Sequence, residues 1–542
     1  MAKVKQPLEE NGIHRAKMWE IMMYALNNTS TNTYMMVVGY ISYFLIGIVG
    51  LASVLAGSIV TIMRIWDGVT DPFVGMMVDK TNGKFGKNRP FIVIGQIIMF
   101  ITTFVMFNFI PKMGMSVRFP AFIVIYMIYI IGYTCQCVVT KSAQTCLTND
   151  PKQRPIFAMC DTVYNIILMN IIFPIVVTDI LVPKFTLTAE ANAAEITSLV
   201  AQNPNLAGIV EKSGGSLSAF YNPGLFTTIQ LSFGAVSAVF AVCAIIALWR
   251  KDNPKYFGLG TTQKVGVKDY VDTLAHNRAI QMLVVSASTD KLFMSTKSNA
   301  TVMICLFGII FGNYAAFSSY SQITSIPVCL ISLLLMNKIA RQMGQKASML
   351  VGTWGGIIGS LAITLFLFFF NPKGDASKFS LPAFRIIRPD TWGTLFTGWT
   401  ATALIFVLLV IAWSGVQALS SSIVITMTAD CADYEVYRTG KYVPGLMGTL
   451  FSFVDKLVSS LAATLVALFY SMAGFKDALP DTMTPYSDKI FWATVGCFVL
   501  LPIVGWICNV IAMKFYPLTK EKMEEIQAEI GRIKAEAAAK QA

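Results

Sequence analysis

The chain has 542 residues, of which 55% are hydrophobic and 13% charged, and its formal net charge is +12. This composition, with a mean hydropathy of +0.61, is too apolar and too sparsely charged for an ordinary soluble protein. Apolar segments of about twenty residues, each able to cross a ~30 Å hydrocarbon core, recur along the whole chain. The composition therefore predicts an all-α, polytopic membrane protein.

The basic residues are distributed unevenly. Most Lys and Arg residues fall in the two tails and in alternate loops, which is the positive-inside pattern. This pattern predicts a multi-pass protein of the cell membrane with both termini in the cytoplasm. The pattern also explains the positive net charge without binding of nucleic acid. Membrane lipid is therefore an expected partner.

Twelve membrane spans are predicted. They cover 18–47, 52–78, 90–110, 119–148, 155–181, 224–249, 279–310, 316–336, 347–370, 392–425, 446–473 and 489–515. The resulting divisions are an N-terminal six-helix bundle (1–249), a middle cytoplasmic loop (250–278), a C-terminal six-helix bundle (279–515) and a cytoplasmic tail (516–542). The segment 182–223 is a long outward loop with room for a short helix, and the charged tail is expected to be a solvated helix.

The second span carries charges inside its apolar part. Arg64, Asp67 and Asp71 are spaced by three and four residues, so they share one helical face. Charges at that depth cost several kcal/mol unless they are paired or line a cavity, so the span marks a solute or ion pathway. Two carboxylates offer oxygen ligands to a hard cation such as Na⁺, or they hold a proton between them. The alternative is that Asp67 only forms a structural ion pair with Arg64.

The two halves of the chain repeat one pattern. Asp79 and Lys80 follow the second span and Gly86 stands seven residues after the aspartate, while Asn337 and Gly344 have the same spacing after the eighth span. Two six-helix repeats around a basic central loop are the plan of many secondary transporters.

Blocks of motifs resemble the glycoside–pentoside–hexuronide:cation symporter family of the major facilitator superfamily. The blocks are Arg64 to Pro72, Asp79 to Pro90, Asp150 with Arg154, Ala429 to Tyr434, and Phe451 to Lys456. The resemblance implies the major facilitator fold and a monomeric, non-enzymatic secondary transporter. It needs no cofactor, and its coupling ion is Na⁺ or H⁺.

The resemblance also implies site residues. The cation site it implies consists of Asp67, Asp71, Thr70 and Thr134. The resemblance further implies a set of substrate-binding positions. In this chain they are occupied by Thr31, Tyr133, Cys137, Lys141, Ser452, Asp455 and Lys456. Thr31 and Cys137 stand where the family's best-known member has sugar-binding acids, and Lys141 stands where it has a tryptophan.

These departures leave three interpretations of Lys141. The lysine meets an anionic solute such as a uronate or glucuronide. Alternatively, it reaches the acids of the second span and replaces the cation, which gives an uncoupled or proton-coupled facilitator. In the third interpretation it only extends toward the membrane surface.

Charged loop residues at matched positions predict a cytoplasmic gate. They are Asp79, Lys80, Arg89, Asp150, Arg154, Asp433 and Arg438. Because surface ion pairs contribute only about 0–1 kcal/mol each, they act as a network or serve only to fix the topology. The predicted function is symport of a glycoside, sugar or anionic sugar derivative by alternating access. A non-transporting membrane sensor is the remaining alternative.

Overall fold

The protein is described by a computed structural model. It describes residues 15–81, 83–148, 154–253, 275–369, 376–382, 397–439, 454–476, 478–526, 528–529 and 532. Regular structure in this part of the chain is helical apart from two isolated bridges, Gly83 with Gly86 and Leu187 with Leu217. The chain divides into two compact units: unit 1 contains 1–52 and 62–261, and unit 2 contains 53–61 and 262–542.

Twelve helices are labelled in chain order. They are α1 (Met18–Val38), α2 (Ser53–Lys80), α3 (Arg89–Asn108), α4 (Met115–Leu147), α5 (Arg154–Ile167), α6 (Pro223–Leu248), α7 (Arg278–Lys297), α8 (Tyr314–Met343), α9 (Gln345–Phe369), α10 (Ala401–Thr439), α11 (Val454–Met472) and α12 (Asp488–Phe515). Among the described residues, seven helices are long and apolar enough to cross a membrane, or eight if one bent pair forms a single span.

Several predicted spans contain breaks in their helices. The span that begins with α1 continues through Ile41–Phe44 and the π-helical turn Leu45–Val49, and it ends at Gly50 with φ +87°. The span that begins with α7 bends by 48° before Ala300–Ile310. Asn299 caps the second part, since its side chain accepts from the Thr301 amide at 3.0 Å. Such breaks are common in transporter helices because neighbouring side chains satisfy the freed backbone groups.

Small and hydroxyl residues hold unit 1 together. The ideal Cβ of a residue at Gly95 of α3 would lie 2.7 Å from the Gly132 carbonyl oxygen of α4, so this crossing requires glycine. The Ser30 and Ser237 hydroxyls, on α1 and α6, are 2.8 Å apart. These contacts pack α3 against α4 and α1 against α6.

The segment 182–223 belongs to unit 1. It contains the helices Ala189–Gln202 and Leu206–Lys212, so the predicted short helix is in fact two. Phe220 and Tyr221 are fully buried, and their rings contact Tyr43 at 5.4 and 5.5 Å. Hydrophobic burial therefore anchors this segment to the end of the first span.

Both predicted ends of the tenth span were wrong, and the eighth span, predicted to end at 336, runs on to Met343. The tenth span begins at Ala401 rather than 392, because Gly398 has φ +86° and the Thr400 hydroxyl accepts from the Ala403 amide as a helix cap. It also runs on to Thr439, since a polar sequence continues the helix beyond the apolar stretch.

The start of the C-terminal tail packs against unit 2 and is not solvated as predicted. Ile526 is fully buried in the core of unit 2 beside Met427 and Leu518.

Candidate functional site

The charged face of α2 places its predicted cation ligands in the interior of unit 1. Asp67 is 2% exposed and Thr70 is 6% exposed, whereas Asp71, one turn further along, is half-buried. A carboxylate this deep requires compensation by hydrogen bonds, an opposite charge or a bound ion. The geometry around Asp67 therefore decides what this face can do.

Thr134 of α4 completes an oxygen cluster around Asp67. Its hydroxyl donates to Asp67 Oδ1 at 3.2 Å and lies 3.0 Å from the Thr70 hydroxyl. The Thr70 hydroxyl also donates to the Asp67 carbonyl oxygen at 3.0 Å. Three contacts thus join these oxygens, although two hydroxyls carry only two protons. Closely spaced oxygens of this kind are the ligands that hard cations prefer.

Arg64 lies one turn before Asp67 and is partly buried. The alternative interpretation, that Asp67 forms only a structural ion pair with Arg64, stays a prediction. The electrostatic neighbours of Arg64 are Tyr133, Tyr126, Tyr129 and Asp67. The three tyrosines follow each other along α4 with ring centroids 5.7 and 6.4 Å apart.

The predicted substrate residues of unit 1 fall in different environments. Thr31 is fully buried, and its hydroxyl donates to Gln136 Oε1 at 2.9 Å inside the α1–α4 contact. Tyr133 and Cys137 are half-buried on α4, where the Tyr133 hydroxyl donates to Met35 Sδ at 3.1 Å. Lys141 is part of α4, but its side chain lies outside the described residues. The roles of these residues in substrate binding stay predictions.

Sequence reasoning missed a row of amides between α1 and α5. Asn28 Nδ2 donates to both carboxylate oxygens of Asp161 at 2.9 and 3.0 Å, and Asn165 Nδ2 donates to Oδ1 of the same acid at 2.8 Å. Asn32 donates in turn to Asn165 at 2.7 Å. The four-residue spacings 28/32 and 161/165 place each pair on one helical face, a signal that the sequence does contain.

The predicted substrate residues of unit 2 are partly described. Ser452 lies outside the described residues, while Lys456 is half-buried at the beginning of α11. Asp455 is 5% exposed and forms an ion pair with Lys291 of α7. This acid is therefore engaged by a basic side chain within its own unit.

A second intramembrane pair in α7 also has internal partners. Asp290 accepts from the Trp506 indole at 2.9 Å. Lys297 places its ammonium 3.4 Å above the Trp413 ring and donates to Gln417 at 3.1 Å. Cation–π contact and an amide acceptor thus accommodate this buried charge.

The predicted gate residues have local partners where their side chains are described. Arg89 lies 3.5 Å from Asp252 and stacks over Trp249, and Arg438 pairs with Glu435 of its own helix at 2.9 Å. Lys80 is exposed and Asp433 half-buried. Asp150 and the side chains of Asp79 and Arg154 lie outside the described residues. Their gating role stays a prediction.

Asp252 is the loop residue that sequence reasoning missed. It is 1% exposed and accepts from the backbone amides of Lys87, Asn88 and Arg89, at 3.1, 2.9 and 2.9 Å. It thereby caps the N-terminus of α3, where an anion is stabilised by the free N–H groups. Gly86 has φ +90°, and a Cβ there would lie 2.2 Å from Asp252 Oδ2, so only glycine fits.

In the matching loop of unit 2, lysine side chains make the stabilising contacts, whereas an aspartate makes them in unit 1. Gly344 has φ +89°, close to the φ of +90° at Gly86. Lys346 donates to the Tyr516 carbonyl oxygen at 2.7 Å, and Lys520 donates to the Gln342 carbonyl oxygen at 3.2 Å. The repeated glycine thus marks a position with positive φ in both loops, whereas the side chains around it differ.

Comparisons with known proteins agree with this architecture. The family described as MFS/sugar transport protein matches residues 24–520. The isoprimeverose transporter of Lactiplantibacillus pentosus is 21% identical over 92% of this chain and 89% of that protein. The glucuronide carrier protein homolog of Escherichia coli (strain K12) is 21% identical over 94% of each chain.

Solved transporters share the fold. The nucleoside transporter NupG superposes with a TM-score of 0.55 at 10% identity, over 93% of this chain and all of that one. A bacterial homologue of the human lysosomal transporter Spinster gives 0.53 at 13% identity, over 92% and 97% of the two chains. The family match covers nearly the whole chain, and the apolar helices and the major facilitator fold agree with it. The chain therefore belongs to the MFS/sugar transport protein family of multi-pass membrane transporters.

Proposed function

We propose that the protein is a symporter that couples the entry of one cation, Na⁺ or H⁺, to the uptake of a glycoside, sugar or sugar acid. It acts by alternating access in the cell membrane, with both termini in the cytoplasm. The observation that carries this proposal is the oxygen cluster of Asp67, Thr70 and Thr134. The relatives that transport isoprimeverose or carry glucuronides support a sugar-derived substrate.

The cluster suits either coupling ion. A desolvated Na⁺ takes oxygen ligands, and here one carboxylate, one carbonyl and two hydroxyls lie within hydrogen-bonding distance of each other. A proton on Asp67 would instead remove the charge and leave the Thr134 hydroxyl bound to a neutral acid. In both cases ion binding cancels a buried negative charge, which is the physical condition for coupling.

Coupling follows if substrate binds better when the ion is present. By linkage, the ion then binds better when substrate is present, typically by a factor of about 5–150. This affinity difference drives uphill transport only if the ion and the substrate are bound together while the protein changes between its outward-facing and inward-facing states.

The test uses purified protein in proteoliposomes and three radiolabelled probes: isoprimeverose, methyl β-D-glucuronide and methyl β-D-glucoside. Counterflow measures exchange alone, while an imposed Na⁺ or pH gradient measures coupled accumulation. We expect one probe to exchange and to accumulate against its gradient with one of the ions. Asp67→Asn should retain exchange and lose accumulation, whereas Thr134→Ser should retain both. Exchange in the wild type without accumulation under either gradient would contradict symport and indicate an uncoupled facilitator.

A further inference from the structure

An exposed patch lies at the end of unit 1 where α3 begins and α6 ends. It consists of two dipeptides that each join a basic residue to an aromatic one: Lys84 with Phe85, and Trp249 with Arg250. All four residues are exposed, and the two aromatic ones are 77% and 64% exposed. Cations beside large aromatic rings are typical of the boundary between a membrane and water. We call these four residues the basic–aromatic patch.

The fold holds the two dipeptides beside each other. Asp252, three residues after Trp249, accepts from the backbone amides of Lys87 and Arg89 at 3.1 and 2.9 Å. The guanidinium carbon of Arg89 lies 5.0 Å from the centroid of the Trp249 ring. A Cβ at Gly86, directly after Phe85, would lie 2.6 Å from the Asp252 carbonyl oxygen. The backbone of the patch is therefore fixed from both sides, so a ligand finds it preorganised.

The patch stands where exposed apolar stripes of two membrane-spanning helices end. Both α3 and α6 are long and apolar enough to cross a membrane. On α6 the side chains of Val239, Val242 and Ile246 are 61%, 53% and 48% exposed and share one helical face. Trp249 continues this face by one more turn. The exposed stripe of α3 consists of Ile94, Ile97 and Ile101. A lipid chain that packs on α6 thus has its headgroup level at Trp249.

The exposed charge of the patch is positive. The described acids at this end of unit 1, Asp252 and Glu20, are buried and lie 3.5 Å from Arg89 and 3.6 Å from a lysine next to Asp252. These acids have nearer cations than Lys84 and Arg250. A guanidinium binds phosphate oxygens through parallel hydrogen bonds, and an ammonium binds them as a compact charge. The patch therefore complements a phosphate at the membrane surface.

We propose that the basic–aromatic patch binds the phosphate headgroup of an anionic phospholipid, whose chains pack on the exposed stripe of α6. Lys84 and Arg250 pair with the phosphate, while Phe85 and Trp249 lie among the headgroups. The bound lipid bridges the loop before α3 and the end of α6, the same two segments that Asp252 joins. The inference goes beyond transport, and only its leaflet rests on the proposed orientation, which turns this end toward the cytoplasm.

The test titrates the purified protein in detergent with dioleoyl phosphatidylglycerol or dioleoyl phosphatidylcholine and measures lipid binding by native mass spectrometry. The variant is Lys84→Gln with Arg250→Gln. The matched control is Lys184→Gln with Lys212→Gln, which removes two exposed lysines from the segment 182–223. We expect the wild type to prefer phosphatidylglycerol. The variant should bind the first phosphatidylglycerol about tenfold more weakly and phosphatidylcholine within about twofold of wild type, whereas the control should match wild type for both lipids.

The outcomes decide the inference without involving sugar transport. Equal wild-type affinity for the two lipids, or an equal loss in the variant and the control, would overturn the site. Displacement of phosphatidylglycerol by glycerol phosphate at matched ionic strength would indicate a site for a free anion and would also overturn it. If the variant is not monodisperse, a salt titration of the wild type decides. Exposed ion pairs weaken with salt, so a phosphatidylglycerol affinity that does not fall as NaCl is raised would contradict the proposal.

Discussion

The Thr134 hydroxyl donates to Asp67 Oδ1 at 3.2 Å and so connects α4 to the charged face of α2. Both side chains are buried, at 0% and 2% exposure. The carboxylate therefore has a fixed orientation inside unit 1 before any ion arrives. Preorganised oxygens reduce the entropy lost on binding, so small changes at Thr134 should alter ion affinity more than stability.

Thr134→Val removes the hydroxyl but keeps the side-chain shape. We expect the cation concentration that gives half-maximal sugar uptake to rise about tenfold, equivalent to roughly 1.4 kcal/mol. Thr134→Ser keeps the hydroxyl and is the matched control. Uptake measured against cation concentration checks this, and equal values for the valine and serine variants would argue against an ion ligand at Thr134.

Asp252→Ala should destabilise the end of unit 1 at which α3 begins. Three backbone amides and the Arg89 side chain lose their acceptor, and breaking such a buried charged network costs about 3 kcal/mol. Thermal unfolding in detergent measures the loss. Glu524→Ala removes an exposed acid of the tail as a control, and an Asp252→Ala midpoint equal to that of the control would refute the capping role.

Arg118→Lys should loosen the segment 182–223. One ammonium cannot replace the guanidinium that reaches Ile48, Pro111 and the end of helix Ala189–Gln202 together. We expect faster cleavage by thermolysin within 189–212, with about 2 kcal/mol of local stability lost. Glu211→Gln, on the exposed side of this segment, should leave the cleavage rate unchanged. Equal rates in the two variants would show that Arg118 does not anchor the segment.

Asp481, in the connection between α11 and α12, should make stability depend on pH. Burial raises the pKa of Asp481 to about 6, although hydrogen bonds from the Met483 amide and Thr484 hydroxyl oppose the shift. The folded state therefore holds the proton more tightly than the unfolded state, whose pKa is about 3.9. The stabilisation is complete below pH ~4 and is lost as the pH rises to ~6, by about 3 kcal/mol in total.

Asp481→Asn removes this dependence and keeps an oxygen acceptor for both donors. We expect the variant to unfold at a higher temperature than the wild type at pH 7.5 and to lose that advantage at pH 4.5. Glu190→Gln, an exposed acid, is the control. A difference between variant and wild type that is the same at both pH values would contradict the assigned titration.

The α2 site was predictable because its signal is local. Residues 64, 67 and 71 form a helical period inside an apolar segment, and any charge there requires a partner. The positive φ shared by Gly86 and Gly344 was also signalled by their equal spacing from the ends of α2 and the eighth predicted span. Thr134 depended on resemblance to a family, since nothing in the sequence of α4 alone connects it to Asp67.

Other features depend on contacts distant in sequence. Asp252 lies more than 160 residues from the amides it caps, and its own surroundings look like an ordinary charged loop. Ile526 is an isolated apolar residue in a charged segment, so periodicity could not predict its burial. The early start predicted for α10 came from apolar residues that precede a glycine with positive φ, a backbone feature that hydropathy does not report.

The central claim is that Asp67 holds the coupling ion. Its most direct test is the affinity of purified protein for its sugar, measured with and without Na⁺ and from pH 5.5 to 8.5, in wild type and Asp67→Asn. We predict that the wild type binds more tightly with Na⁺ or at low pH, and that Asp67→Asn binds with one affinity throughout. An Asp67→Asn protein whose sugar affinity still follows Na⁺ or pH as the wild type does would place the ion elsewhere.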